Sequence, residues 1–352
     1  MAETMRAWVF RSSGNPSKVL KLEQDWPKPT PSGNRILVRV KAAALNPVGY
    51  KAMVLPGLRW MQKKPAVPEH DVAGVIDGGD LSGTDLKVGD EVIGFVPADS
   101  TMKSGQGVLA EYTLVEKNLL TKKPDNVKFT EAATFPLTTF TSYWALRRVA
   151  GLTNGSGQRV FINGGSGGVG VYAVQLAKAY GAYVVTTCSP PSRKLVESLS
   201  PDDILDYKES DLVEQLATKY SDKPFDIIFD TVGHNSDLYY KSPKFLKKDG
   251  HFVDIAGPHF ESNFTSILGA GIDLINRNLR PAFLGGVPRK YKFGMMKPAE
   301  GELDEMAQFI REGKLKAVVD EVFPFEKALA AYDRQMSNRA KGKVVVSIAG
   351  DA

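Results

Sequence analysis

The chain has 352 residues, of which 43% are hydrophobic, 9% aromatic and 24% charged, and this composition excludes a disordered or fibrous protein. Its length suits two domains, and its 33 glycines and 21 prolines are spread along the sequence. The formal net charge is +5, but the basic segments at 241–248 and 289–297 are short and interrupted by Pro or Gly. We therefore expect no nucleic-acid partner, and the positive charge suits a cofactor that carries several phosphates.

Cysteine content and apolar runs limit where the protein works. Cys188 is the single cysteine, which excludes a disulfide framework and a zinc site built from several thiolates. No apolar run approaches the ~18 residues that cross a bilayer. The first residues alternate like a strand and do not resemble a targeting leader. We expect a cytoplasmic protein without a membrane span.

Short strands dominate the first 130 residues. Alternating or apolar runs predict strands at 5–10, 34–44, 71–77, 90–96 and 109–115. Gly and Pro separate these runs, which is typical of a compact, mostly antiparallel or barrel-like β unit. The run at 343–348 alternates in the same way and predicts that the chain returns to this unit.

From about residue 130 helices alternate with strands. A helical stretch is predicted at 130–149. Strands follow at 159–163, 183–188, 225–230 and 251–256, with helices at 169–180, 193–199 and 238–246. This alternation is typical of βαβ units on a parallel sheet. Beyond residue 258 we expect helices at 266–276, 302–310 and 325–336, with strands near 291–296 and 318–322.

A glycine-rich turn joins the predicted strand at 159–163 to the next helix. Residues 159–170 read RVFINGGSGGVG and contain the pattern G-x-G-x-x-G. Such a turn lets a pyrophosphate approach backbone N–H groups at a helix N-terminus, because glycine allows a tight bend without side chains. A glycine-rich turn without a ligand is the alternative. The predicted cofactor-binding residues of the turn are Gly165, Ser166, Gly167, Gly168, Val169 and Gly170.

The end of the second βαβ strand indicates which nicotinamide cofactor binds. NAD-binding domains usually place an acid there to hold the ribose 2′-hydroxyl. This chain has Ser189 and Arg193 instead, two residues able to bind a 2′-phosphate. NADPH is therefore favoured over NADH, although Arg193 can also be a solvated residue of a helix's first turn.

Seven stretches in order resemble the zinc-free quinone-oxidoreductase branch of the medium-chain dehydrogenase/reductase superfamily. The resemblance extends over nearly the whole chain and is greatest to the group with reticulon-interacting oxidoreductases and enone reductases. The stretches are 43–48 (AALNPV), 68–75 (PEHDVAGV), 88–94 (VGDEVIG), 109–112 (LAEY), the glycine turn with 174–178 (VQLAK), 230–233 (DTVG) and 339–345 (RAKGKVV).

The resemblance implies an α/β protein of two domains. A GroES-like, β-rich catalytic domain would comprise residues 1–130 and 286–352, and a Rossmann domain that binds NADPH on a doubly wound parallel sheet would comprise residues 131–285. The active site would lie where they meet. The resemblance further implies Tyr207 and Arg339 beside the 2′-phosphate, and Thr141 and Gly233 near the nicotinamide. Tyr207 can equally be a half-buried aromatic at a strand end.

Zinc-using relatives bind their catalytic metal with a Cys/His/Cys set, which one cysteine cannot supply. Asn46 stands where the first of those cysteines would be, and His70 stands where the histidine would be. We expect no metal and a structural role for His70.

Three residues of one segment are the catalytic candidates. Asn46 has an amide that can hydrogen-bond substrate or the nicotinamide ribose, and Lys51 matches a lysine near the nicotinamide of related enone reductases. Lys51 can instead be an ordinary exposed lysine. Tyr50 can donate a proton or simply pack. The family usually has an acid where this chain has Gly49, which puts the local geometry in question.

The sequence therefore predicts a zinc-independent, NADPH-dependent reductase. It would transfer hydride to a quinone or to the C=C bond of an α,β-unsaturated carbonyl, because conjugate addition needs no metal to polarise an isolated carbonyl. The electrophile is a small molecule, and the resemblance also allows a homodimer. Two other readings stay open: an NADPH-binding interaction protein with little catalysis, and an enoyl reductase that serves a larger synthase.

Overall fold

The computed structural model describes residues 3–55, 60–257 and 264–349 and divides into two compact units. We call Met1–Phe140 with Pro298–Ala352 the split unit, and Thr141–Lys297 the inserted unit. Both boundaries fall later than residues 130 and 285, where the sequence analysis expected them. The later second boundary has a physical cause: the strand at Lys290–Phe293 pairs with the sheet of the inserted unit.

The described strands follow the chain in order. They are β1 (Thr4–Phe10), β2 (Leu20–Pro27), β3 (Arg35–Ala44), β4 (Asp71–Gly78), β5 (Glu91–Phe95), β6 (Tyr112–Glu116), β7 (Leu120–Lys122), β8 (Arg159–Asn163), β9 (Tyr183–Cys188), β10 (Asp203–Asp206), β11 (Phe225–Asp230), β12 (Leu246–Asp254), β13 (Lys290–Phe293), β14 (Val319–Pro324) and β15 (Lys343–Ser347).

The α-helices of the same residues are numbered likewise. They are α1 (Pro16–Val19), α2 (Pro47–Val54), α3 (Ala98–Ser104), α4 (Phe129–Ala132), α5 (Pro136–Tyr143), α6 (Gly170–Ala179), α7 (Arg193–Ser198), α8 (Leu212–Tyr220), α9 (Ser236–Tyr240), α10 (Phe264–Leu279), α11 (Glu302–Arg311) and α12 (Ala328–Met336). A π-helix at Trp144–Val149 follows α5. None of these helices is long and apolar enough to cross a membrane.

The split unit is built on a mostly antiparallel sheet. Among the described strands its order is β14-β15-β3-β4-β5-β7, with β6 also paired to β3 and a separate β1-β2 pair. The predicted return of the chain is confirmed, because β15 lies between β14 and β3. Four residues of β15 are buried, Lys343 among them, so the strand is interior to the unit.

The inserted unit is built on a parallel sheet with the order β10-β9-β8-β11-β12-β13 among the described strands. Strands β8, β9 and β11 have the predicted bounds. Their continuous apolar runs are almost wholly buried, as in sheets covered on both faces. Side chains of β8, β11, β12 and α8 form one core cluster that includes Phe161, Phe225, Leu216 and Phe252.

The inserted unit differs from the sequence prediction at three elements. The sequence did not indicate β10 or α8. The helix expected at 238–246 ends at Tyr240, and a short 3-10 turn (Ser242–Lys244) leads into β12. Pro243 accounts for the early end, since proline lacks a donor and clashes with a continuing helix.

Candidate functional site

The glycine turn connects β8 to α6 in the inserted unit. Gly164 adopts φ +94°, and its N–H donates to Thr187 Oγ1 at 2.8 Å, while the N–H of Gly165 donates to the Thr187 carbonyl at 2.9 Å. The turn is thereby held against β9. In the described structure the N–H groups of Ser166, Gly168 and Val169 donate to no backbone carbonyl.

Space around the turn excludes side chains at two of the predicted glycines, Gly165 and Gly170. A Cβ at Gly170 would lie 2.0 Å from the Gly164 carbonyl oxygen, and one at Gly165 would lie 2.2 Å from Thr186 Oγ1. A Cβ at Gly167 would meet only the Gly164 oxygen, at 3.4 Å. The turn is therefore tight on its inner side and open at Gly167, and its free N–H groups at the start of α6 suit a pyrophosphate.

Ser189, Arg193 and Tyr207 are brought together at one edge of the parallel sheet. Ser189 follows β9, Tyr207 follows β10, and the two strands pair in parallel with Asp206 opposite Cys188. Tyr207 is 48% exposed. The Arg193 guanidinium forms an ion pair with Glu197 at 3.0 Å, one turn further along α7. This corner has no acid directly after β9 and has a cation that can turn to a phosphate.

Two similar turns follow β11 and β12. The Asp230 carboxylate accepts the N–H of Val232 at 3.0 Å and of Gly233 at 3.1 Å. Asp254 accepts the N–H of Ala256 at 2.9 Å and of the glycine after it at 2.8 Å. The first turn, DTVG, was among the predicted motifs, and the second, DIAG, was not. Both have the pattern D-x-x-G, and this repeated pattern could have indicated the second turn.

Hydrogen bonds join the first of these turns to the glycine turn. Asn163 Nδ2 donates to Asp230 Oδ1 at 2.9 Å, and Asn163 Oδ1 accepts the Thr187 hydroxyl at 2.9 Å. Burial raises the pKa of Asp230, and the charge of Asp254 raises it further. Gly233 has φ +72°, and a Cβ there would lie 2.2 Å from the carbonyl oxygen of the glycine after β12. The carboxyl ends of β8, β9, β11 and β12 therefore form one connected polar surface.

A buried arginine on α10 completes this surface. Arg277 Nη1 lies 3.4 Å from Asp254 Oδ2, and Arg277 Nη2 lies 2.6 Å from Asp273 Oδ2. Tyr291 of β13 donates to Asp254 Oδ2 at 3.0 Å. The sequence analysis did not single out Arg277, because its partner in the sheet is 23 residues away.

Thr141 and Arg339 are placed individually. Thr141 lies on α5 and is 7% exposed. Arg339 is exposed in the split unit, where it follows α12 and its carbonyl accepts from Arg334 Nη2 at 3.2 Å. Their roles at a bound cofactor stay predictions.

Asn46 immediately precedes α2 in the split unit and is 1% exposed. Its amide Nδ2 donates to Asp71 Oδ2 at 2.9 Å and to the Ala44 carbonyl at 3.2 Å. Its Oδ1 accepts from the Lys343 ammonium. Both amide hydrogens therefore have internal acceptors, and a substrate would have to compete with Asp71 for this donor.

Tyr50 and Lys51 lie on α2 and differ in exposure. Tyr50 is half-buried, and burial raises the pKa of its phenol. Lys51 is exposed, and its ammonium has no hydrogen bond or ion pair with the part of the chain that the structure describes. Of the three catalytic candidates, Lys51 has the most exposed side chain.

A buried ionic network surrounds the start of α2, and the sequence analysis missed most of it. The Lys343 ammonium lies 3.2 Å from Asp71 Oδ2 and donates to the Leu45 carbonyl at 3.0 Å. The Glu69 carboxylate accepts the Asn46 backbone N–H at 2.9 Å and the Tyr332 hydroxyl at 2.7 Å. Burial raises the pKa of Glu69 to about 8. Two acids beside His70 in the stretch EHD were the available signal.

His70 lies between Glu69 and Asp71 in the sequence. Its side chain is buried, and its ring forms a hydrogen bond with a different residue. Its Nδ1 lies 2.9 Å from the Val96 carbonyl, which can only accept, so Nδ1 carries the proton. Burial lowers the pKa of His70 and favours the neutral imidazole. The described residues contain no cluster of three or more His, Cys, Asp or Glu side chains able to hold a metal ion.

Comparisons with known proteins agree with this architecture. Residues 32–125 match the family described as an alcohol dehydrogenase GroES-like domain, and residues 199–346 match the family described as a zinc-binding dehydrogenase. The trans-enoyl reductase pgmF of Aspergillus terreus (strain NIH 2624 / FGSC A1156) is 35% identical, over 98% of this chain and 96% of its own. The human mitochondrial NAD(P)H oxidoreductase RTN4IP1 is 34% identical, over 98% and 89%.

A solved structure gives the same result. The quinone oxidoreductase from Coxiella burnetii superposes with a TM-score of 0.77 at 25% identity, over 98% of this chain and 100% of that one. The expected combination of a GroES-like β-rich domain with a Rossmann-type parallel sheet is confirmed. The chain belongs to the medium-chain dehydrogenase/reductase superfamily.

Proposed function

We propose that this protein is an NADPH-dependent reductase that transfers hydride to a quinone or to the C=C bond of an α,β-unsaturated carbonyl. The observation that carries the proposal is the glycine turn, whose inner side leaves no space for a Cβ and whose N–H groups at the start of α6 are open. The reductase and oxidoreductase names of pgmF, RTN4IP1 and the Coxiella enzyme support the reaction class.

The inserted unit supplies the groups that would hold the cofactor. The N–H groups of Ser166, Gly168 and Val169 bind the pyrophosphate, and the partial positive charge at the α6 N-terminus favours it. Ser189 and Arg193 would bind the 2′-phosphate, with Tyr207 beside them at the end of β10. This corner favours NADPH over NADH, because the chain has Ser189 where NAD-binding domains usually have an acid that holds the ribose 2′-hydroxyl.

A bound nicotinamide supplies the hydride, and the protein stabilises the negative charge that develops on the acceptor oxygen. Lys51 is the donor we propose for that oxygen, because its ammonium is exposed and not bound to another described side chain. Tyr50, next to it on α2, is protonated at neutral pH like any phenol, and burial raises its pKa further. Asn46 orients the Lys343 ammonium and Asp71 behind this helix.

Zinc independence is part of the proposal. The chain has one cysteine, Cys188, which ends β9 of the inserted unit and is buried. At the position of a thiolate ligand, Asn46 presents an amide that already bonds Asp71 and Lys343. A buried ammonium at this point disfavours a second cation.

NADPH consumption tests the proposed function. Absorbance is followed with a quinone, an enone, an enal and a saturated ketone, in the presence of a chelator and with NADH as the control. We expect turnover of the three conjugated acceptors with NADPH and none of the saturated ketone. Loss of activity with the chelator would contradict zinc independence, and equal rates with NADH would contradict the assignment of the phosphate corner.

An enoyl reductase that serves a larger synthase is the second candidate, and the name of the relative pgmF, a trans-enoyl reductase, favours its enoyl-reductase activity. A carrier-bound enoyl thioester added to the same panel separates the two. Strong preference for the thioester supports the second candidate. Saturable NADPH binding without turnover of any acceptor supports a binding protein instead. Cytoplasmic location and a homodimer also stay predictions.

A further inference from the structure

Glu69 combines two features that are rarely found together. Its backbone has φ +74°, a conformation that costs a non-glycine residue about 1–2 kcal/mol. Its side chain is fully buried, and burial of a carboxyl group needs compensating hydrogen bonds. Such strained residues persist where the surroundings hold them firmly, and they concentrate at functional sites.

The Glu69 carboxyl group occupies the space that a side chain at residue 49 would need. A Cβ at Gly49 would lie 2.0 Å from Glu69 Oε1, 2.5 Å from Cδ and 2.7 Å from Oε2. The backbone of Gly49 does not have the positive φ that favours glycine. Glycine is therefore needed at residue 49 for space, and the carboxyl group of Glu69 is what takes that space.

The same carboxylate fixes the beginning of α2. One oxygen accepts the N–H of Asn46, the residue before the helix, and the other accepts the hydroxyl of Tyr332 from α12. Asn46 itself makes no side-chain cap on α2. Tyr50 and Lys51 follow Gly49 directly on the same helix.

We propose that Glu69 is a positioning residue that clamps the first turn of α2 from outside the helix and so sets the place of Lys51. We call the pair Gly49 and Glu69 the interlock: the glycine leaves the space, and the acid from the segment before β4 fills it. The inference rests on the proposed function only for the role of Lys51. The clamp itself is a property of the fold and is testable without cofactor or acceptor.

Exchanging the two residues tests the interlock. An aspartate at residue 49 would place its carboxyl group one bond beyond Cβ, in the space that Glu69 now fills. The variants are Gly49→Asp, Glu69→Gly and the double variant, with Gly78→Asp as the matched control because a Cβ at Gly78 meets nothing within 4 Å. Amide hydrogen exchange of residues 47–54 reports the order of α2 directly.

We expect Glu69→Gly to speed exchange in residues 47–54 by about 10-fold or more, with β8 unchanged, because the first turn loses its clamp. The double variant should regain most of the protection, and Gly78→Asp should keep the wild-type pattern. Gly49→Asp alone should have a lower Tm than the double variant and than Gly78→Asp, since its Cβ collides with the Glu69 carboxyl group. Unchanged exchange in Glu69→Gly, or a double variant no better protected than Glu69→Gly, would overturn the clamp.

Turnover then tests whether the clamp acts through Lys51. Glu69→Gly should lower kcat by about 10-fold or more while the Kd of NADPH stays within about twofold, because misplacement of a catalytic group by about 1 Å costs up to 10²-fold. In a Lys51→Ala background the same change should have little further effect on kcat. If Glu69→Gly lowered kcat by the same factor with and without Lys51→Ala, Glu69 would not act through Lys51. If the wild type reduced no acceptor, the proposed function would fail, and the exchange measurement would still decide the clamp.

Discussion

The exposed guanidinium of Arg193 allows a quantitative test of the NADPH preference. Its ion pair with Glu197 spans one helical turn at 3.0 Å, and both side chains are 52% exposed. An exposed pair of this spacing contributes about 0.3–0.5 kcal/mol. A charge-assisted hydrogen bond to a phosphate contributes about 1.5–3 kcal/mol. Exchanging Glu197 for the 2′-phosphate therefore gains about 1–2.5 kcal/mol, which is about 5- to 70-fold in affinity.

The corresponding experiment is Arg193→Ala with titration of both nucleotides by fluorescence. We expect the Kd of NADPH to rise about 5- to 70-fold and the Kd of NADH to stay unchanged, because NADH has no 2′-phosphate. Lys194→Ala is the matched control, since it removes the same charge from the next residue, which is also exposed. Equal losses for the two nucleotides, or equal losses in both variants, would refute a direct contact of Arg193 with the phosphate.

Three further predictions concern the turn, the buried acid and the buried arginine. Gly170→Ala should weaken NADPH and NADH binding alike, because its Cβ would lie 2.0 Å from the Gly164 oxygen. The control is Gly269→Ala on α10, where a Cβ meets nothing within 4 Å. If Gly170→Ala bound both nucleotides as tightly as the wild type, the tight turn would be contradicted. Because burial raises the pKa of Glu69 to about 8, the native state holds this proton more tightly than the unfolded chain, and the group's contribution to stability is lost as pH rises from its ordinary value of 4.5 through about 8. The Tm of Glu69→Gln should lack that decline, and parallel Tm curves of variant and wild type between pH 5 and pH 9 would exclude this assignment. Arg277→Met should lower the free energy of unfolding in urea by about 3–5 kcal/mol, because it leaves buried Asp254 without its cation, and a loss below about 1 kcal/mol would show that the pair is dispensable.

The strands of the parallel sheet show what the sequence could predict. Strands β8, β9 and β11 were predicted to the residue, because each is a mostly apolar run followed by a polar residue or glycine. Strand β10 (DILD) was missed, since it has four residues and begins and ends with Asp, which is depleted in strands. It forms because β9 offers it a parallel partner, and that partner is not visible in the local sequence.

The sequence likewise predicted one part of the candidate site, the glycine turn, and not the ionic network behind α2. The glycine turn was predictable because all its contacts are local or involve the neighbouring strand. The network behind α2 was not, because Tyr332 meets Glu69 across 263 residues and Lys343 meets Asp71 across 272. No pattern over a short window contains both partners. The sequence shows Gly49 where the family it resembles usually has an acid. Only the structure shows that the Glu69 carboxyl group fills the space beside Gly49.

The position of β15 in the split sheet has a consequence for biosynthesis. A ribosome releases β3 and β4 long before it makes Lys343, the cation that neutralises buried Asp71. The inserted unit is contiguous and is complete in sequence by Lys297, whereas β3 still lacks β15, which pairs with its residues 42–44. Until β15 emerges, a nascent chain therefore has an unpaired edge on β3 and an acid, Asp71, without its cation. We therefore expect chaperones to bind the split unit of a nascent chain for longer than the inserted unit.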